Sequence, residues 1–302
     1  MTEFFRYVLM LLLSVVVVGV IGKVRAVYCG RYGEPVLQPV WDIVKLLRRP
    51  HRLLNPDVSW VFRLAPSVAL ATVMSAAVVV PTGSGGATAG ALMAFNGDFL
   101  FFAYTIALGR FFVVLAILDT NSNSGALAAG RYAYIAALME PAFLMIMAVV
   151  AMRTAKVSFV EFCQNTAPVA TICAVVVLMV SATVEAGLMP VDDQTTPDKL
   201  TMLNNSAPLH YSGVDLAMMR VATALKLTIY ASLAVTMLMP PTTSALAGIS
   251  LYVAGMLLTA VVIGVVESLC VRLTTAHVAQ FIVGTTAVAL IALAVAAFGS
   301  SR

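Results

Sequence analysis

Residues 184–226 read VEAGLMPVDDQTTPDKLTMLNNSAPLHYSGVDLAMMRVATALK, an acidic stretch set between two long apolar segments. It holds Glu185, Asp192, Asp193, Asp198 and Asp215, five of the 14 carboxylates in a chain of 302 residues. Carboxylates are costly near a bilayer, so a cluster at a helix-loop-helix junction faces a polar cavity or a partner protein. The reading that follows is a bundle of membrane helices organised around an acidic junction.

Composition extends that reading to the whole chain. It is 61% hydrophobic and 11% charged, with a mean hydropathy of +0.98, where about 25% charged is usual for soluble domains. Runs of roughly 20 apolar residues cross a hydrocarbon core about 30 Å thick. Eight such runs fall at approximately 4–21, 66–81, 99–118, 134–152, 167–186, 215–239, 244–266 and 279–298. The expected fold is an all-α integral membrane protein, one transmembrane domain over 1–302, because helices satisfy their own backbone in lipid. The first run is as long as a full span and no small-residue cleavage site comes before Lys23 and Arg25, so it reads as a span and not as a signal peptide.

Basic residues set the orientation. The connection after the first span carries Lys23, Arg25, Arg31, Lys45, Arg48, Arg49, Arg52 and Arg63, and the next carries none. The expected cytoplasmic loops are 22–65, 119–133, 187–214 and 267–278, with both termini outside. The net charge of +4 thus reports topology and gives no case for nucleic-acid binding. Within 36–47, Val36, Val40, Ile43, Val44 and Leu47 recur at helical spacing beside Lys45, Arg48 and Arg49, which predicts an amphipathic helix on the membrane surface. Two readings stay open for it: a segment held by anionic lipid, or a platform for a soluble protein.

Candidate chemistry is sparse. Cys29, Cys163, Cys173 and Cys270 have no CxxC spacing and His51, His210 and His277 are dispersed, so the chain offers no metal or redox signature. The Gly-rich stretch 81–98 lacks the lysine of a phosphate-binding loop and reads as a connector. Arg110, Glu140, Glu185, Arg220, Lys226 and Glu267 lie within or beside spans, where an ionised side chain costs roughly 2.5–3.5 kcal/mol at a helix centre. They read equally as ion pairs that tie helices together or as a chain of groups that passes protonation state along.

Three segments, RYGEPVLQPVWDIVKLL (31–47), GRFFVVLAILDTNSNSGALAAGRYAYIAALMEP (109–141) and YSGVDLAMMRVATALKL (211–227), resemble signature regions of the NADH dehydrogenase subunit 1 family, the eight-helix membrane proteins at the junction of the two arms of respiratory complex I. The resemblance extends to the membrane subunits of formate hydrogenlyase and energy-converting [NiFe] hydrogenases, and MPVDDQTTPDKLTM leans toward that branch. It implies that the cytoplasmic loops cradle a soluble hydrogenase module, with Arg31, Lys45, Arg48 and Arg49 as docking surface. It also implies that Glu140, Glu185, Asp192, Asp193, Glu267, Arg110, Asp119 and Arg131 belong to a polar network joining that module to an ion path. Asp198, Asp215, Arg220 and Lys226 complete the candidate set. Where hydrogenase members carry a His-Glu pair and a further acid, this chain has Asn204, Asn205 and His210. Asparagine exchanges no proton, whereas His210 can substitute as a proton carrier.

The expected function is a non-catalytic anchor and coupling subunit of a membrane-bound hydrogenase in the cell inner membrane. The [NiFe] centre and iron–sulfur clusters would be held by partners: hydrogenase large and small subunits, an iron–sulfur protein, and an antiporter-like membrane subunit. The alternatives are the quinone-chamber subunit of a complex I-like oxidoreductase and, more remotely, a stand-alone transporter with a site at Arg220 and Lys226.

Overall fold

A computed structural model of the chain describes residues 2–49, 59–83, 90–154, 158–159, 168–188, 211–239, 244–270, 273 and 275–300. Asp192, Asp193, Asp198, Asn204, Asn205 and His210 lie outside the described residues. Among those described, regular structure is helical apart from one isolated bridge between Thr82 and Gly90. The helices are α1 (Thr2–Tyr28), α2 (Gln38–Leu47), α3 (Trp60–Val79), α4 (Asp98–Asp119), α5 (Asn123–Thr154), α6 (Pro168–Ala186), α7 (Val214–Leu238), α8 (Ala245–Leu269) and α9 (Thr275–Ser300). Seven of them are long and apolar enough to cross a membrane. The eighth expected span is α6, apolar over the shorter stretch Ala170–Ala186, which packs on α7 and α9 in the same bundle. The chain is a multi-pass membrane protein.

Contacts at the helix ends define two rims. On one, Arg6 near the start of α1 reaches the Thr82 carbonyl after α3, and Thr236 near the end of α7 donates to the Pro81 carbonyl at 3.2 Å. On the other, Arg25 near the end of α1 meets Glu267 near the end of α8 at 2.9 Å, and the Ser59 amide before α3 donates to Asp119 at the end of α4 at 2.7 Å. Successive spans therefore alternate in direction.

The axle of the bundle is α7. It packs against α1, α2, α3, α6 and α8, and every residue from Ala224 to Met237 is buried. A helix buried all round keeps its polar side chains only if they find acceptors nearby. The Thr228 hydroxyl donates to the Ala224 carbonyl at 2.8 Å and the Thr236 hydroxyl also reaches the Ser232 carbonyl at 2.7 Å, each one turn back.

Three boundaries differ from the sequence expectation, each for a local reason. The third helix begins at Trp60, ahead of Pro66, because Ser59 caps it through the Val61 amide at 3.2 Å. Pro66 is tolerated inside α3 although it cannot bond the Phe62 carbonyl one turn back; the Tyr211 hydroxyl donates to that carbonyl instead, at 2.8 Å. The loop expected at 119–133 is a tight turn, since α5 starts at Asn123. Asn121 takes the left-handed conformation (φ 50°), which asparagine tolerates, and the Ser122 hydroxyl caps α5 at the Gly125 amide. The Ala-rich 125–139 segment then favours helix. Finally α9 begins at Thr275 and α8 runs to Leu269, which narrows the loop expected at 267–278.

Candidate functional site

Four of the charged residues that the sequence places in spans converge at one point. The Arg110 Nη2 donates to Glu140 Oε1 at 2.8 Å, and its Nη1 lies 3.4 Å from Glu185 Oε1. Glu185 Oε2 in turn accepts from Lys226 Nζ at 3.4 Å, and Lys226 also donates to the Tyr132 hydroxyl at 3.3 Å. The order Glu140–Arg110–Glu185–Lys226 alternates in sign and sums to zero. Burial of a charge is costly unless it is paired, and this chain of pairs meets that condition with groups from four helices.

Each member is placed by its own helix. Arg110 lies midway along α4 and Glu140 midway along α5, not near a helix end, because α5 starts earlier than its apolar run. Glu185 is the penultimate residue of α6, which stops by a Schellman turn. There the Leu188 amide bonds the Thr183 carbonyl at 2.9 Å, the Gly187 amide bonds the Val184 carbonyl at 3.1 Å, and Gly187 adopts φ 63°. Lys226 sits halfway along α7. Arg110, Glu185 and Lys226 are all buried, whereas the Glu140 side chain is 48% exposed. Glu140 is thus the outward end of the chain.

A cavity of about 130 Å³ opens beside these groups, lined by Arg110, Glu140, Glu185 and Tyr230 together with Leu100 and Tyr104. That volume has room for several waters. Tyr230 and Phe143 of its lining belong to a block of aromatic rings. Phe102 packs on Phe143, Phe159 and Tyr230 with centroids 5.6, 5.3 and 5.7 Å apart, and Phe99 meets Phe159 at 5.7 Å.

The remaining candidates form separate groups. Asp119 and Asp215 lie at the other rim near Tyr211, whose ring stacks on Phe62 at 4.2 Å. Burial, with the Asp215 and Asp119 carboxylates nearby, holds the Tyr211 phenol well above its ordinary pKa, so it remains a hydrogen-bond donor. Glu267 is buried and paired with Arg25. Arg131 is half-buried on α5 and Arg220 is exposed on α7. Arg31, Lys45, Arg48 and Arg49 are exposed at and around α2. Among the described residues, no group of three His, Cys, Asp or Glu is placed to hold a metal ion.

Sequence reasoning passed over Tyr132, Tyr211, Tyr230 and Asp98. Asp98 is fully buried and accepts from the Phe159 amide at 3.0 Å and the Ser158 hydroxyl at 2.9 Å. For Tyr211 a signal existed: a proline inside an apolar run implies an orphaned carbonyl four residues earlier.

Comparison with known proteins agrees with this architecture. The chain is similar to formate hydrogenlyase subunit 4 of Escherichia coli (strain K12), 37% identical over 128 residues, which are 42% of this chain and 40% of that protein. It is similar to hydrogenase-4 component C of the same organism, 28% identical over 240 residues, 77% of this chain and 73% of that one. Among solved structures it matches the fold of a chain of the membrane-bound sulfane sulfur reductase, an archaeal respiratory membrane complex. There the TM-score is 0.79 and the identity 17%, over 98% of this chain and 100% of the other. The family described as NADH dehydrogenase matches residues 3–297, nearly the whole chain, and this protein belongs to it.

Proposed function

We propose that this chain is the membrane anchor and coupling subunit of a multi-subunit membrane-bound [NiFe] hydrogenase. The observation that carries the coupling role is the neutral chain Glu140–Arg110–Glu185–Lys226, with one end exposed and the other buried on the central helix. The hydrogenase branch is supported by the likeness to formate hydrogenlyase subunit 4 and hydrogenase-4 component C. A soluble module of large and small subunits and an iron–sulfur protein docks on the rim that carries Arg31, Asp119 and Asp215. Redox centres reside in that module. An antiporter-like membrane subunit covers the face around Glu140, where a half-exposed carboxylate within a span needs a polar neighbour. The protein sits in the cytoplasmic membrane with both termini outside, a reading supported by the basic residues gathered on the Arg25 rim and α2.

The mechanism is electrostatic. Arg110 is shared by two carboxylates, so a proton gained by Glu140 leaves Arg110 to Glu185 and loosens the hold of Glu185 on Lys226. A charge change at one end of the chain is thereby felt at the other without large motion. The test is Glu140→Gln in the assembled complex. Hydrogenase activity with an artificial electron acceptor should persist while coupled ion translocation is lost; equal loss of both would make Glu140 a structural residue.

The family match favours one further reading, the quinone-chamber subunit of a complex I-like oxidoreductase. Metal analysis of the complex purified from native membranes separates the two. Nickel with iron supports the hydrogenase, and iron with flavin and no nickel supports the second.

A further inference from the structure

The entry to helix α2 is fixed against α1. A Cβ on Gly19 would overlap the Val36 carbonyl, so the chain leading into α2 lies directly against α1 at this point, with Pro39 beside it. Gly19 lies 17 residues after Thr2, about 26 Å along the helix axis at 1.5 Å per residue. That position falls within Glu3–Tyr28, the stretch of α1 long and apolar enough to cross a membrane. The chain entering α2 therefore runs directly beside a membrane-crossing helix.

From there α2 turns one face to the bundle and another outward. Leu46 is buried and Ile43 half-buried, on the side that packs against α1 and α7. Leu37, Trp41, Lys45 and Arg48 follow one another at spacings of four, four and three, so they share the opposite ridge, and Arg49 flanks it. Trp41 is 65% exposed, and Lys45, Arg48 and Arg49 are all exposed. Between Arg31 and Arg49 there are four cations against two acids, Glu34 and Asp42, and Asp42 is engaged by Gln38 at 3.2 Å. An exposed tryptophan with cations one turn further on is suited to the headgroup layer, where indole sits at the interface and long basic side chains reach phosphate.

We propose that the outward ridge of α2, Trp41 with Lys45, Arg48 and Arg49, is a binding site for the headgroups of anionic phospholipid. The site is independent of the coupling role of Glu140. It ties the α1–α2 corner to the membrane surface by charge as well as by apolar burial.

The test uses the full chain with Trp60→Phe, which leaves Trp41 as the single tryptophan, in vesicles of equal parts phosphatidylcholine and phosphatidylglycerol. Bromine is carried on the acyl chains of one lipid or the other, and quenching of Trp41 is read. The expected result is quenching at least about three-fold stronger with brominated phosphatidylglycerol, and a loss of that preference in Lys45→Gln/Arg48→Gln/Arg49→Gln. A Trp41→Phe chain, reporting from Trp60, checks that the triple variant remains folded. Equal quenching by the two lipids overturns the proposal. So does a Trp41 out of reach of both lipids and shielded only in the complex with soluble partners, which would assign the ridge to a protein.

Discussion

Lys226 and Glu185 face each other at 3.4 Å between α7 and α6, each with less than a tenth of its side chain exposed. Glu185 has a second partner in Arg110, whereas Glu185 is the carboxylate within reach of Lys226 among the described residues. Losing the acid and losing the lysine are therefore unequal events.

Glu185→Gln leaves Lys226 buried beside Arg110 with one half-exposed carboxylate to balance both. It should cost about 3–5 kcal/mol of stability, the range for breaking a buried pair. Lys226→Met should cost less, because Arg110 still neutralises Glu185 and Glu140 is open to solvation. The double variant should be more stable than Glu185→Gln alone. Thermal unfolding of the purified complex measures all three, and strictly additive losses would mean the two groups do not act as a pair.

Tyr211 and Pro66 should be coupled through the Phe62 carbonyl. Tyr211→Phe is expected to destabilise by about 1–3 kcal/mol, since it leaves a buried carbonyl without a donor. In a Pro66→Ala background residue 66 regains its amide, α3 can bond Phe62 internally, and the same substitution should cost close to nothing. A cost unchanged by Pro66→Ala would show that the ring stacking of Tyr211, and not its hydroxyl, matters.

Gly19 and Gly22 offer a controlled comparison within one helix. Both are in α1, and a Cβ on Gly22 meets nothing within 4 Å, whereas one on Gly19 overlaps the Val36 carbonyl. Gly22→Ala should be neutral or stabilising by up to about 1 kcal/mol from helix propensity. Gly19→Ala should displace the segment entering α2 and shift the Trp41 emission. Identical behaviour of the two variants would contradict the close approach.

Asp98 should tolerate amidation better than truncation. Its two oxygens take the Phe159 amide and the Ser158 hydroxyl, and asparagine keeps one acceptor. Asp98→Ala is expected to cost about 1–3 kcal/mol for the buried donors left unpaired, and Asp98→Asn measurably less; thermal unfolding in detergent reads both.

The spans were legible because hydropathy is a one-dimensional property: each apolar run coincides with a helix. The charged residues in spans were legible as anomalies for the same reason. Their partition was not. Glu185 and Glu267 look alike in sequence, yet one joins Arg110 and Lys226 while the other pairs with Arg25, a choice made by which helices pack together. The end of α6 could be read from Gly187. The extent of α5 could not, since Arg131 and the small residues around it look like a loop until the turn at Asn121 is seen. Tyr132 carried no signal, because its function lies in a contact with α7 distant in the chain.

The central position of α7 bears on how the protein is made. It carries Asp215, Arg220 and Lys226 along with the buried hydroxyls of Thr228, Tyr230, Ser232 and Thr236, so it is a poor candidate for insertion into lipid by itself. The partners of Lys226 come earlier in the chain: Tyr132 on α5 and Glu185 on α6 are both synthesised before Lys226 leaves the ribosome. The acceptors are in the membrane when the lysine arrives, and α7 can enter a protein-lined slot in place of bare lipid. Truncating the chain after α6 should leave that slot unfilled, while moving α7 to the front of the chain should leave the lysine without a host.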